Sequence, residues 1–276
     1  MFRLLSIEFY KLRHNRASKI LTFIYFGLLT SIALLITLKI DLGPIQLNIA
    51  EQGIFEFPYI WHFNTYVAAG FKFFLLLVIV SMVANEYANK TLKQNLIDGL
   101  SKQEYILSKF YMVAAMSLAS TIFVLVVSLI LGFNYSTDQS FGLIFRDLEY
   151  FLAFFVKLLS FFSFGLFLGV LIKRSAFAIG GLFVWYIAEL IIESALYSYL
   201  SEGNALLVSS ILPLNSSEAL IPSPFLRMDT LKTFSEQLGT PLANDYSVPF
   251  FNLIVSGCWA VIFAYGAFFL IKKRDL

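Results

Sequence analysis

The chain has 276 residues, of which 59% are hydrophobic and 14% charged, and its mean hydropathy is +0.78. A soluble domain carries roughly 25% charged residues, so this balance excludes an ordinary soluble enzyme or nucleic-acid binder and points to an integral membrane protein. The net charge of +2 decides little, and the single Cys258 leaves no internal disulfide; its apolar neighbours predict a small buried hydrophobe.

Residues 1–18 predict an amphipathic helix. Phe2, Leu5, Phe9 and Leu12 recur at spacings of three and four, with Arg3, Lys11, Arg13 and His14 elsewhere on the wheel. Such a helix lies in the membrane interface with its basic groups near anionic lipid. The first span follows at residues 20–38. Its apolar run is longer than a signal h-region and no clear A-x-A site follows, so a retained span is expected.

Residues 40–64 read as an outer loop, with turns at Gly43-Pro44 and Phe57-Pro58 and with Tyr59 and Trp61 suited to the interface. The second span is predicted at 66–84. A polar segment, Asn85 to Phe110, separates it from the third, at 111–131. Ala88, Leu92 and Leu96 recur at i+4, so residues 85–98 predict one short helix. Gly99 terminates it, and Ser101 with Glu104 three residues later forms a capping box for the helix that continues as the third span.

A second, shorter outer segment covers 132–147. The fourth and fifth spans, 150–172 and 176–199, are split only by Lys173-Arg174-Ser175. Residues 200–248 are apolar but broken by Pro213, Pro222 and Pro224, which suits short helices dipping into the outer leaflet. Within them Leu231, Phe234 and Leu238 line one side of an amphipathic helix ended by Gly239 and Pro241. The sixth span is 250–271. The expected fold is therefore all-α and integral to the membrane, with six transmembrane helices, an N-terminal interfacial helix and short re-entrant helices between spans five and six.

Basic residues set the orientation. With the N-terminus inside, 14 of the 20 Lys and Arg residues fall on the cytoplasmic side, and both termini are cytoplasmic. No HExxH, CxxC, GxSxG or Walker A pattern occurs, so neither a metal, a nucleophile elbow nor an ATP site is predicted in the chain.

Four ionisable residues, Lys72, Lys157, Glu189 and Glu193, fall within spans and in their outer halves. Charges there are costly and mark a function or a partner. Glu189 and Glu193 share a face at i, i+4, so at least one Lys–Glu pair between spans is expected, against the alternative that the lysines snorkel outward and the glutamates are protonated or wet. Gly165 and Gly169 form a small-xxx-small pair suited to close packing, within the chain first and in a dimer second.

The Asn85–Phe110 segment resembles the first cytoplasmic loop of ABC transporter permeases of the type-2 exporter family. Glu86 fits that family's glutamate, Thr91-Leu92 its Thr and the residue after it, Leu96-Ile97 its leucine pair, Ser101-Lys102 its Ser-Arg, and Lys109 its final lysine. Lys90 stands where glycine is usual, and Gly99 near the expected proline. The interfacial helix, six spans, inner termini and short helices before the last span match the family's layout.

The resemblance implies a single permease domain over 1–276 in the cytoplasmic (inner) membrane, with 1–18 as interfacial helix, 85–104 as coupling loop and 200–248 as the extracytoplasmic loop. It implies a second permease chain, homo- or heterodimeric, surrounding lipid, no nucleic acid, and cytosolic ABC ATPase subunits that hold ATP and Mg while this chain holds no cofactor. Glu86, Lys90, Thr91, Leu92, Leu96, Gly99, Ser101 and Lys102 would carry the ATPase contact. The implied activity is export without catalysis in this chain. The alternative readings are a non-transporting subunit of a larger ABC-like machine and, behind it, an integral-membrane enzyme, for which Glu189/Glu193 is the one candidate pair.

Overall fold

The computed structural model describes residues 2–37, 40–42, 45–47, 53–225 and 246–273. Five helices among them are long and apolar enough to cross a membrane: Arg16–Thr37, Lys102–Tyr135, Phe141–Ile172, Ser175–Tyr199 and Phe250–Lys273. Tyr59–Gly70 and Lys72–Ala88 make a sixth when taken as one span bent by 45°. The chain is a multi-pass helical membrane protein.

In chain order, α1 is Phe2–His14 and α2 is Arg16–Thr37. Asn15 separates them and starts α2, its side-chain oxygen accepting the Ser18 amide at 3.2 Å, as an N-cap does. A small antiparallel hairpin pairs β1 (Ile40–Leu42) with β2 (Ile45–Leu47). Then come α3 (Tyr59–Gly70) and α4 (Lys72–Ala88). The predicted second span is thus extended toward the N-terminus by about two aromatic-rich turns, and the interfacial role expected of Trp61 gives way to full burial. Its indole donates to the Ile144 carbonyl at 3.2 Å.

A short α5 (Thr91–Ile97) precedes the long α6 (Lys102–Tyr135). One turn, α7 (Phe141–Ile144), leads into α8 (Glu149–Ile172). A left-handed Lys173, φ 64°, divides α8 from α9 (Ser175–Tyr199) where the basic triplet predicted the split. Two short helices, α10 (Glu202–Ser209) and α11 (Pro213–Glu218), precede the last, α12 (Phe250–Lys273). The amphipathic helix expected over Leu231, Phe234 and Leu238 lies outside the described residues.

The bundle is organised around α8. Its apolar stretch is 72% buried, against 11% for α2 and 17% for α9, so α8 is the central post and the other two face outward. α12, α4, α6 and α9 pack on it, and α2 packs on α4. Lipid offers no hydrophobic drive between helices, so close backbone approach matters. Gly165 and Gly169 of α8 provide it: a Cβ at Gly165 would collide with Leu76 of α4, and one at Gly169 would stand 3.4 Å from Val83. These glycines are therefore an internal α8–α4 seam. Cys258, expected to be buried, is exposed on the outer side of α12.

Candidate functional site

At the end of the bundle that carries α1, four charged side chains from three helices converge. Lys109 of α6 reaches Glu8 Oε2 of α1 and Glu86 Oε1 of α4, each at 2.6 Å. Lys11 reaches Glu86 Oε1 at 2.8 Å and Glu8 Oε1 at 3.3 Å. The Ser108 hydroxyl donates to Glu8 Oε1 at 3.1 Å, and Lys109 Nζ lies 5.1 Å from the centroid of the buried Tyr105 ring. Side chains of Lys109 and Glu8 are 2% and 1% exposed, so this square of two anions and two cations is largely shielded from solvent, with Lys11 on its rim. Burial works against the Lys11 charge, but Glu86 and Glu8 outweigh it and raise its pKa.

The cluster explains which face of α1 turns inward. Leu4 and Glu8 are buried against the bundle, whereas Phe2 and Phe9, on the stripe expected to meet the membrane interface, are exposed. Exposed aromatics beside a buried polar edge suit a helix held to the bundle by charge and to the lipid by its rings.

From this anchor the polar segment runs out. The single helix predicted over 85–98 is broken at Asn89–Lys90, where Lys90 takes a left-handed φ of 57°. That conformation favours glycine. α5 then runs back over the end of α4, and Thr91 Oγ1 lies 3.5 Å from the Glu86 carbonyl. Leu92 is 2% exposed and belongs to the core, Leu96 is half-buried, and Ile97 is 75% exposed. Gly99, at φ 99°, makes the reversal. The Ser101–Glu104 capping box forms as expected: Ser101 Oγ accepts the Glu104 amide at 3.1 Å, and Glu104 Oε2 accepts the Ser101 amide at 3.0 Å. Lys102 Nζ donates to the Lys272 carbonyl at 3.3 Å, tying the start of α6 to the end of α12.

Of the residues expected to face a partner, Glu86 and Leu92 are thus internal. Burial of Leu92 follows from the break at Lys90, which rotates α5 relative to α4. The exposed apolar residue of α5 is Ile97, which the i+4 stripe missed. A polar cleft of about 370 Å³ lies between α1 and α5, lined among others by Asn15, Asn85, Asn89, Gln94 and Asp98.

At the opposite end of the bundle the intramembrane charges are paired, though not with each other as expected. Lys72 and Lys157 both hold Glu218, the last residue of α11; Lys157 Nζ lies 2.7 Å from Glu218 Oε2 and donates to the Glu218 carbonyl at 3.2 Å. Lys72 also sits over the Phe161 ring, 4.5 Å from its centroid. Glu189 lies at the other end of α11. Its carboxylate accepts the Leu214 amide at 3.0 Å, the Asn215 amide at 3.0 Å and the Trp185 indole N–H at 2.6 Å. A carboxylate at the helix N-terminus and cations at its C-terminus both complement the helix dipole. Glu193 makes no ion pair among the described residues, so the expected pairing of a lysine with Glu189 or Glu193 is replaced by Lys72 and Lys157 on Glu218. The sequence hid this partner because Glu218 sits in the proline-broken segment and outside any span.

Fold and site together define a multi-pass helical membrane protein with its N-terminal helix bolted to the start of its third span by buried charge. The chain belongs to the family described as "Protein of unknown function (DUF2705)", which matches residues 49–276. The matched stretch contains Glu86, Lys109 and the whole α11 clamp, whereas Glu8 and Lys11 precede it. Among curated proteins none matches the chain.

Proposed function

We propose that this chain is the membrane-spanning permease subunit of an ATP-driven ABC exporter of the type-2 family, oriented with both termini in the cytoplasm of a cell whose inner membrane it crosses. The observation that carries the reading is the Lys90–Glu104 segment: a surface helix bounded by two left-handed residues, closed by a capping box and welded through Glu86 and Lys109 to α1 and α6. A solvated linker needs none of these fixtures. A segment that receives force from another protein needs all of them, because a push on α5 must reach the spans. The left-handed Lys90 supports the resemblance, since it stands where the family has glycine.

In this reading cytosolic ATPase subunits bind ATP and Mg, engage the exposed side of α5 around Ile97, Lys93 and Asp98, and drive a pair of permease chains. The chain itself does no covalent chemistry. The test is purification of the tagged full-length protein from its own membranes. An ATPase with Walker motifs should accompany the wild type and be lost with Ile97→Asp. Purification of the chain alone under conditions that preserve its fold would sink the reading.

A further inference from the structure

Two apolar grooves run side by side down α12 at the α1 end of the bundle. The first, about 370 Å³, lies between α6 and α12 over Ile106, Phe110, Ala264 and Phe268. The second, about 460 Å³, lies on the outer face of α12 over Ile262, Gly266 and Phe269. Val261 and Tyr265 line both, so the two grooves adjoin along α12. Lysines crown them. Lys273 Nζ sits 4.5 Å from the centroid of Phe269, which lines the second groove. Lys102, next to the groove residue Gln103, bonds the Lys272 carbonyl one turn beyond Phe268.

We propose that this surface is a binding site for one anionic phospholipid, its two acyl chains in the two grooves and its phosphate between Lys102, Lys272 and Lys273. Apolar channels in a membrane-spanning chain face acyl tails, and their lining offers almost no polar partner below Gln103. Basic groups gathered at the mouth of a groove between spans recognise anionic headgroups. The start of α6 and the end of α12 bring Lys102, Lys272 and Lys273 to the same end of the adjoining grooves. The site is independent of the transport reading.

The experiment uses the full-length protein in detergent micelles, titrated with phosphatidylglycerol, phosphatidylcholine or inorganic phosphate, with bound lipid counted by native mass spectrometry. Phosphatidylglycerol should bind saturably at about one per chain and in preference to phosphatidylcholine, with no retention of inorganic phosphate. Each of Lys272→Gln and Lys273→Gln should lower that preference about fivefold; both side chains are exposed, so the fold survives. Ala264→Trp, which fills the first groove, should lower occupancy by both lipids. Equal binding of the two lipids by wild type, or an unchanged preference in the double lysine variant, overturns the proposal. So does an Ala264→Trp variant that alters the oligomeric state while leaving lipid occupancy intact, which would assign the groove to a second copy of the chain.

Discussion

Lys109 and Glu8 stand 101 positions apart in the chain and meet at 2.6 Å, both shielded from solvent. Desolvation of such a pair is costly, so the contact is weak evidence for stability. Its rupture from one side is severe, because the remaining charge is left buried. Lys109→Met should therefore destabilise the detergent-solubilised protein by about 3–5 kcal/mol, read as a lowered unfolding temperature. Lys11→Met, on the half-exposed rim, should cost clearly less. Its raised pKa means that its contribution is complete at neutral pH and is lost only above its ordinary value of 10.5.

Burial separates the two hydrophobic residues of α5. Leu92→Asp should lower the unfolding temperature, since a carboxylate would enter the core. Ile97→Asp should leave it within about 0.5 kcal/mol of wild type while abolishing co-purification of the ATPase. A stable Leu92→Asp protein would contradict the placement of α5.

The backbone at Lys90 gives a third expectation. An L-residue in the left-handed region pays about 1–2 kcal/mol, and glycine returns part of that through the entropy of its unfolded chain. Lys90→Gly should be neutral or stabilising by up to about 1 kcal/mol, and Lys90→Val destabilising, in thermal unfolding.

Glu218 carries a pH signature. Burial opposes its charge, yet Lys72 and Lys157 outweigh burial and hold its carboxyl below the ordinary 4.5, at about 2. Its side chain remains half-exposed, so water screens the effect. A lowered folded-state pKa stabilises above the unfolded value and is lost as pH falls from 4.5 toward 2. The stability gap between wild type and Glu218→Gln should hold from pH 7 to pH 5 and shrink below 4.5.

At the α8–α4 seam, Gly165→Val should cost about 1–3 kcal/mol by overpacking against Leu76. A variant that unfolds normally but fails to dimerise would move the glycines to an interface between chains.

Periodicity and length made the spans legible, because the bilayer demands about 20 apolar residues wherever a helix crosses. The Gly99 reversal and the Ser101–Glu104 cap were legible because each is a local rule, satisfied within four residues. The need for a counter-charge at Lys72 and Lys157 was legible too, since hydrocarbon tolerates few lone ions. The partner was not: Glu189 and Glu193 shared the right depth, but the fold spends Glu189 on the amides of α11 and brings Glu218 from a different element. Glu8 escaped notice for the same reason. One polar residue on an interfacial helix carries no local sign that a lysine 101 positions away will meet it. Leu92, expected to face a partner, is buried, and Ile97 is exposed beyond the left-handed break at Lys90, which the i+4 stripe did not foresee.

Helix α4 begins at Lys72 and ends just past Glu86. Between those two positions an α-helix rises about 21 Å, most of the way across the hydrocarbon. The square of Glu8, Glu86, Lys11 and Lys109 and the clamp on α11 thus stand at the two ends of one helix. A rigid-body shift of α4 would therefore move Glu86 and Lys72 together, so one helix ties the charge square to the α11 clamp.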